Sequence, residues 1–249
     1  MRPIKTGLDS LRRRLNWSSA LGLVYLALTL TPAHAQYTPE EAQARAAGYP
    51  ITVHGPRQMP LAGGATLMIP KGFIYCDSAC NRVVRGAKGV SSDDQILLIA
   101  DDGNWNSIVK FVEGGHVRDS DAIVPEQILP HLIAADERGN VIARARGLPE
   151  GHTLAWALTP RYDVETRRLE WSAMRDYAGL REANHVVVIL GRSGYFTFET
   201  RSDTSLDEKR AKLAPILAGF KIAPGHRYED FRPGDKVAPY GILGFMGVR

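Results

Sequence analysis

Cysteine is scarce in this sequence, because Cys76 and Cys80 are the only two among 249 residues. The paired C-x-x-C units of a zinc site and the C-x-x-C of a thioredoxin-like redox protein are therefore absent. The stretch "YCDSAC" leaves three states open: a structural disulfide, two free thiols, or a redox-active or metal-binding pair. On a regular helix, Cα atoms four residues apart lie at the long end of the range for a disulfide. A bridge would therefore require a strained or non-helical segment.

Catalytic and cofactor-binding motifs are also missing. Six histidines follow residue 35, and none stands at metal-ligand spacing to another, although a site assembled only by the fold stays open. Ser193 in "LGRSGY" lacks the second spacer of G-x-S-x-G and is predicted to lie in a hairpin turn. "RGAKGV" lacks the spacing of a phosphate-binding loop. The sequence therefore predicts no metal and no cofactor, and it favours a protein without catalytic activity.

No apolar run reaches the roughly 20 residues that a membrane-spanning helix needs. The run "SSALGLVYLALTL" follows five basic residues and precedes Ala33 and Ala35, which form the A-x-A pattern of signal peptidase cleavage. Residues 1–35 are predicted to be a cleavable signal peptide, with an uncleaved N-terminal anchor as the alternative. The protein is accordingly expected in the periplasm or outside the cell.

An excess of charge of one sign is absent once this leader is set aside. The first 35 residues carry five of the 31 Lys and Arg residues and one of the 27 Asp and Glu residues. The remaining 214 residues are therefore formally neutral. A nucleic-acid-binding domain needs a basic patch of its own, so no nucleic-acid partner is predicted.

Alternating apolar residues predict a mainly antiparallel sheet. In residues 95–112, two apolar runs flank Asp-Asp-Gly-Asn, which is typical of a β-hairpin. Residues 152–201 alternate strongly and predict a four-strand meander. Its "NHVVVIL" segment is apolar on both faces, as expected of a central strand that is covered on both sides.

Two segments have helical patterns. In residues 124–140, Pro125 is suited to the first turn of a helix, and Pro130 is expected to kink or shorten that helix. Residues 205–220 begin with Ser205 and Glu208 at capping-box spacing. The fold class is predicted to be α+β, with helices packed on the sheet. The expected organisation has four parts: a signal peptide (1–35), a lead-in with a short helix (36–50), one α+β domain (51–241) and a short apolar tail (242–249).

Paired acids occur in "GGHVRDSDA". Asp119 or Asp121 with His116 would suit a hydrolase or lyase, but only in a cleft that perturbs the carboxylate pKa values. The favoured interpretation is a turn in which the aspartates cap the following helix and Arg118 serves as their counter-ion.

Four stretches occur in a characteristic order: "WNSIVKFVEGGHVRDSDA", "LAWALTPRYDVETRRLEW", "NHVVVILGRSGYFTFET" and "HRYEDFRPGDKVAPYG". This succession, over roughly residues 50–241, resembles the bacterial membrane-anchored family known as domain of unknown function 2167. The resemblance implies no activity and no catalytic residues. Family members typically continue from "GDKVAxYG" into transmembrane helices, whereas "APYGILGFMGVR" is too short to span a bilayer. The tail is expected to fold back as a last strand, with shallow membrane contact as the alternative.

The leading functional hypothesis is an envelope domain that binds a partner and performs no chemistry. The partner would be a membrane protein or a cell-wall component, peripheral membrane contact stays open, and the oligomeric state is not predicted. A thiol redox role of Cys76 and Cys80 is a weaker alternative. Asp235 and Lys236 would equally suit a local ion pair of little energetic value. The expected binding surface consists of polar residues of the motifs, at turns where scaffolds present function: Arg118, Asp119, Asp121, Arg192, Asp235, Lys236 and Tyr240.

Overall fold

The computed structural model describes residues 37–85, 95–202 and 204–248, and the predicted signal peptide lies outside these ranges. The described chain holds four α-helices: α1 (Pro39–Ala46), α2 (Ser78–Arg85), α3 (Pro125–Ala145) and α4 (Leu206–Ala218). It also holds 13 strands: β1 (Thr52–His54), β2 (Arg57–Leu61), β3 (Ala65–Ile69), β4 (Phe73–Cys76), β5 (Ile96–Ala100), β6 (Asn106–Val112), β7 (His116–Arg118), β8 (His152–Asp163), β9 (Arg168–Tyr177), β10 (Leu180–Leu190), β11 (Tyr195–Arg201), β12 (Phe220–Ile222) and β13 (Val237–Gly241).

Eight strands form the main sheet, in the order β1-β4-β5-β6-β11-β10-β9-β8, and every neighbouring pair is antiparallel. A three-stranded antiparallel sheet has the order β12-β3-β2, and β13 pairs with β7 in parallel. The predicted hairpin is β5–β6, and the predicted meander is β8–β11. The α+β class with a mainly antiparallel sheet is thus confirmed.

The two faces of the main sheet bury different apolar clusters. Phe196 and Phe198 of β11 pack in a core with β2, β3 and α4, whereas Tyr195 packs with the cluster under α3 and the C-terminal segment. Side chains alternate across a strand, so these clusters lie on opposite faces. Strand β10 contributes to both, through Val187 and Val188, which are both buried. The prediction of a strand covered on both faces is confirmed.

Two expectations about the helices had different outcomes. Ser205 and Glu208 form the predicted capping box of α4. Pro130 was expected to kink or shorten α3; it does not shorten the helix, which continues to Ala145. Pro130 is solvent-exposed, and its missing N–H removes one helical hydrogen bond. The helix also packs on β8. None of the helices in the described ranges is long and apolar enough to cross a membrane.

The C-terminal segment packs against the sheet, but not as a strand. Ile242–Met246 forms a 3₁₀ helix, and the side chains of Ile242 and Met246 are fully buried beside α3 and β13. The expected last strand is instead β13, which ends at Gly241, directly before this helix.

Candidate functional site

The polar residues singled out in the sequence lie around the β7–β13 pair, where each has a different environment. Asp119 follows β7, and its Oδ2 accepts hydrogen bonds from the Tyr162 hydroxyl and the Arg167 Nη1, each at 2.7 Å. Partial burial acts to raise the pKa of Asp119, but hydrogen bonds from Tyr162, Tyr228 and Arg167 outweigh it and lower the pKa. This carboxylate is therefore held ionised by one residue of β8 and one residue of the β8–β9 turn.

The predicted capping role of the two aspartates was wrong. The N-cap of α3 is Val124, which makes no side-chain capping bond. Asp121 instead accepts a hydrogen bond at 3.1 Å from the backbone N–H of Leu243, so it holds the C-terminal 3₁₀ helix. The counter-ion of Asp119 is Arg167, while Arg118 is exposed. Asp121 therefore bonds to a residue far along the chain and not to the neighbouring helix, because the parallel β7–β13 pair places the C-terminal segment beside it.

Arg192 and Asp235 form a two-pronged ion pair between the β10–β11 turn and the segment before β13. The Arg192 Nε and Nη2 donate to the two carboxylate oxygens at 2.8 and 2.9 Å. The hydrogen bond from Arg192 lowers the pKa of Asp235 to about 2. Asp235 is thus paired with Arg192 rather than with Lys236, whose side chain is exposed.

His116 is packed between aromatic rings. Its ring centroid lies 4.2 Å from those of both Tyr228 and Phe231, and its Nδ1 is buried without a hydrogen-bond partner among the described residues. Burial is the main cause that lowers the pKa of His116. None of the four cavities found in the described chain is lined by His116, Asp119 or Asp121.

Cys76 and Cys80 form a disulfide, with Cα atoms 5.3 Å apart. Cys76 is the last residue of β4 and Cys80 lies in the first turn of α2, so the bridged segment is only partly helical. Cys76 is fully buried and Cys80 is 5% exposed. Within the described ranges, no group of three or more His, Cys, Asp or Glu side chains could hold a metal ion.

An open cavity of about 460 Å³ lies on the sheet face that carries α2 and α3. We call it the sheet trough. Helix α2 packs on β4 and β5, and α3 packs on β8, so the strands between them carry the trough. The polar residues that line it are Lys110, Thr197 and Glu199, and Val186 and Val188 add apolar surface.

Aromatic side chains form one side of the sheet trough: Trp171, Tyr195, Tyr240 and Phe245. The Phe245 ring of the C-terminal 3₁₀ helix lies 4.5 Å from that of Tyr195 and 6.1 Å from that of Tyr240, measured between centroids. Of the seven residues predicted for the binding surface, only Tyr240 lines this cavity.

Sequence reasoning missed Lys110, Thr197 and Glu199, although a signal for them exists. In "SIVKFV" and "YFTFET" these residues alternate with Val109, Phe111, Phe196 and Phe198. The alternation indicates a polar face on two paired strands. Whether a helix covers that face cannot be read from the pattern, because α2 and α3 are placed by tertiary packing.

Two further cavities, of about 420 and 340 Å³, border α4 on the opposite face and share Arg168 and Leu217. In the larger one, the Glu170 Oε1 lies 3.0 Å from both the His185 Nε2 and the Arg210 Nε. The hydrogen bond with His185, assisted by Arg210, lowers the pKa of Glu170 to about 2. The carboxylate of Glu170 is therefore already paired within the protein.

Comparison with protein-family models shows which family the chain belongs to. The family described as a protein of unknown function, DUF2167, matches residues 53–248. The match covers most of the chain, so the chain belongs to this family, as the order of its motifs indicated. No curated protein matches the chain.

Among solved structures, the chain is similar to the solution structure of cyanobacterial PsbP (CyanoP) from Synechocystis sp. PCC 6803. The two sequences are 10% identical, and the superposition covers 70% of this chain and 92% of the other with a TM-score of 0.41. At these values the similarity carries no argument about function.

Proposed function

We propose that this protein is an extracytoplasmic binding domain of the cell envelope that holds a cell-wall component in the sheet trough and catalyses no reaction. The observation that carries the proposal is the trough itself. Its volume of about 460 Å³ lies within the range of small-molecule sites, about 300–1,000 Å³. It combines apolar and aromatic surface with a few polar groups, as such sites do.

The environments of Asp119, Asp121 and His116 favour a binding role over a catalytic one. A carboxylate is most effective as a general acid or base when its pKa lies near the operating pH, whereas the pKa of Asp119 is lowered. Asp119 and Asp121 hold strands and the C-terminal segment, and His116 is stacked between rings. Their arrangement suits a rigid support for the trough better than a hydrolase or lyase centre.

Location is supported by two independent features. The leader has the pattern of a cleavable signal peptide. Disulfides such as Cys76–Cys80 persist in oxidising compartments and are rare in the cytosol. Because both cysteines are buried, this disulfide suits a structural role better than a redox one. Fractionation of expressing cells tests the location: we expect the protein in the periplasmic or secreted fraction, and recovery in the cytosol would contradict this part of the proposal.

Co-sedimentation with purified cell-wall sacculi tests the binding. We expect the protein isolated from the extracytoplasmic fraction to pellet with sacculi, and Phe245→Ala to reduce the bound fraction severalfold because it removes aromatic surface from the trough. The matched control is Tyr49→Ala, which removes an exposed aromatic ring outside the trough. Equal binding of both variants and the wild type, or no sedimentation at all, would contradict a binding role for the trough. Chromatography of the wall fragments before and after incubation should show no product.

A further inference from the structure

The polar groups of the sheet trough have hydrogen-bonding capacity that the described protein does not use. Lys110 on β6 and Thr197 on β11 are directly paired across the two strands. Among residues 37–85, 95–202 and 204–248, neither side chain has a hydrogen-bond or ion-pair partner. Lys110 lines the trough and is only partly exposed, and no carboxylate oxygen of the described residues lies within ion-pairing distance of its ammonium group.

Glu199 lies two residues along β11 from Thr197, and only one of its two carboxylate oxygens accepts hydrogen bonds from the described residues. Its Oε1 accepts from the Arg201 Nη2 at 2.6 Å, from the Arg201 Nε at 3.1 Å and from the Asn184 Nδ2 at 3.3 Å. Its Oε2 has no partner in the described part of the chain, so one carboxylate oxygen remains available. Arg201 and Asn184 hold this carboxylate in place, and its negative charge is already compensated by Arg201.

The trough therefore offers a ligand one uncompensated cation, one hydroxyl and one acceptor oxygen, beside an aromatic side. An anion with an apolar chain, such as an alkyl carboxylate, would pair with Lys110. It would also displace water from Thr197 and Glu199 without replacing the hydrogen bonds that they make with water. A neutral sugar would satisfy the hydroxyl and the carboxylate but would leave the desolvated charge of Lys110 without an anionic partner. Each of these mismatches costs free energy.

We propose that the sheet trough binds a saccharide unit that carries a carboxylate. The carboxylate would pair with Lys110, ring hydroxyls would bond to Thr197 and the free oxygen of Glu199, and the apolar C–H face of the ring would pack on Phe245 and Tyr240. This inference rests on the proposed function and narrows its ligand class. Sugars with a carboxylate substituent occur in cell-wall glycans, so the two proposals agree on the compartment.

Two commercially available sugars differ in the required feature. N-acetylmuramic acid is N-acetylglucosamine with an added lactyl ether, whose carboxylate is the group proposed to reach Lys110. Titrations followed by ¹H–¹⁵N chemical shifts measure each dissociation constant, with decanoate as the apolar anion. We expect N-acetylmuramic acid to bind about tenfold more tightly than N-acetylglucosamine, since one charge-assisted hydrogen bond at a partly exposed site is of that order. The preference should weaken with added salt.

Three variants test whether the preference for N-acetylmuramic acid over N-acetylglucosamine arises in the trough. Lys110→Met should abolish the preference for the acidic sugar, because the trough then holds no cation that distinguishes the two sugars. Lys71→Met, the same change at an exposed lysine in the β3–β4 turn, should alter the binding of neither sugar. Phe245→Ala should weaken both sugars to a similar extent. Unchanged unfolding transitions of the variants verify that they remain folded.

The outcomes separate this inference from the proposed function. Equal binding of the two sugars, with Phe245→Ala weakening both, would overturn the carboxylate inference while the binding role stands. Binding of decanoate alone would overturn the saccharide inference in the same way. Binding of none of the three would also overturn it, and sacculus sedimentation then decides the proposed function separately. A preference that Lys110→Met leaves intact would place the carboxylate elsewhere and refute the assignment of Lys110.

Discussion

Glu170 joins three elements, and its replacement by glutamine should destabilise the fold in a pH-dependent way. The carboxylate on β9 contacts His185 on β10 and Arg210 on α4. These partners lower its pKa from 4.5 to about 2. At about 1.4 kcal/mol per pH unit, the shift corresponds to about 3 kcal/mol. Arg210 is 44% exposed, and screening by solvent reduces the expected value to about 2 kcal/mol.

The pH window follows from the direction of this shift. A carboxyl whose pKa is lower in the folded state stabilises the fold above its unfolded value, and the contribution is lost as pH falls through the folded value. The wild type should therefore exceed Glu170→Gln by about 2 kcal/mol at pH 7. The difference should shrink between about pH 5 and pH 2. Urea unfolding followed by tryptophan fluorescence at pH 7, 5, 4 and 3 measures it.

Glu165→Gln is the matched control, because Glu165 is exposed in the β8–β9 turn and should change stability by less than about 0.5 kcal/mol. A stability difference between wild type and Glu170→Gln that stays constant from pH 7 to pH 3 would contradict an ionic contribution of Glu170. A loss of stability in Glu170→Gln no larger than that of the control at pH 7 would contradict it as well.

Three further changes test the framework by denaturant unfolding. Ser205→Ala removes the capping box of α4 and should cost about 1 kcal/mol, whereas no loss would mean that Glu208 alone suffices. Met246→Ala should cost about 2–5 kcal/mol because Met246 is fully buried, and a loss below about 0.5 kcal/mol would mean that the C-terminal segment is not part of the fold in solution. Replacing both Cys76 and Cys80 by serine should cost about 2 kcal/mol, and mass spectrometry should find alkylation of the wild type only after reduction. Alkylation without reductant would contradict the disulfide.

Local patterns were sufficient for several of the regular elements. The Asp-Gly turn predicted the β5–β6 hairpin, the alternation in residues 152–201 predicted the meander, and Ser205 with Glu208 marked the start of α4. These signals arise from residues close together in the sequence, through their backbone preferences or their periodicity. They can therefore be recognised before the tertiary structure is known. The order of four motifs likewise identified the family that the match over residues 53–248 establishes.

The candidate site depends on contacts that no local pattern encodes. Asp121 lies 122 residues before its partner Leu243, and Arg192 lies 43 residues before Asp235. Local reasoning assigned Asp121 to the nearest helix because helix caps are short-range, and it could not anticipate the parallel β7–β13 pair. Lys110 was passed over for the same reason, since a single lysine on a strand usually faces solvent.

The sequence by itself determined the fold class, the principal hairpins, the capped helix and the family, because each follows from spacing along the chain. Only the tertiary structure decided which polar residues support the fold and which face a cavity. It closed the disulfide across a strand–helix junction and placed an open cavity over parts of strands β6, β11 and β10, between α2 and α3. The physical reason is that exposure and ion pairing depend on distances between elements far apart in the chain, which packing of the whole core sets.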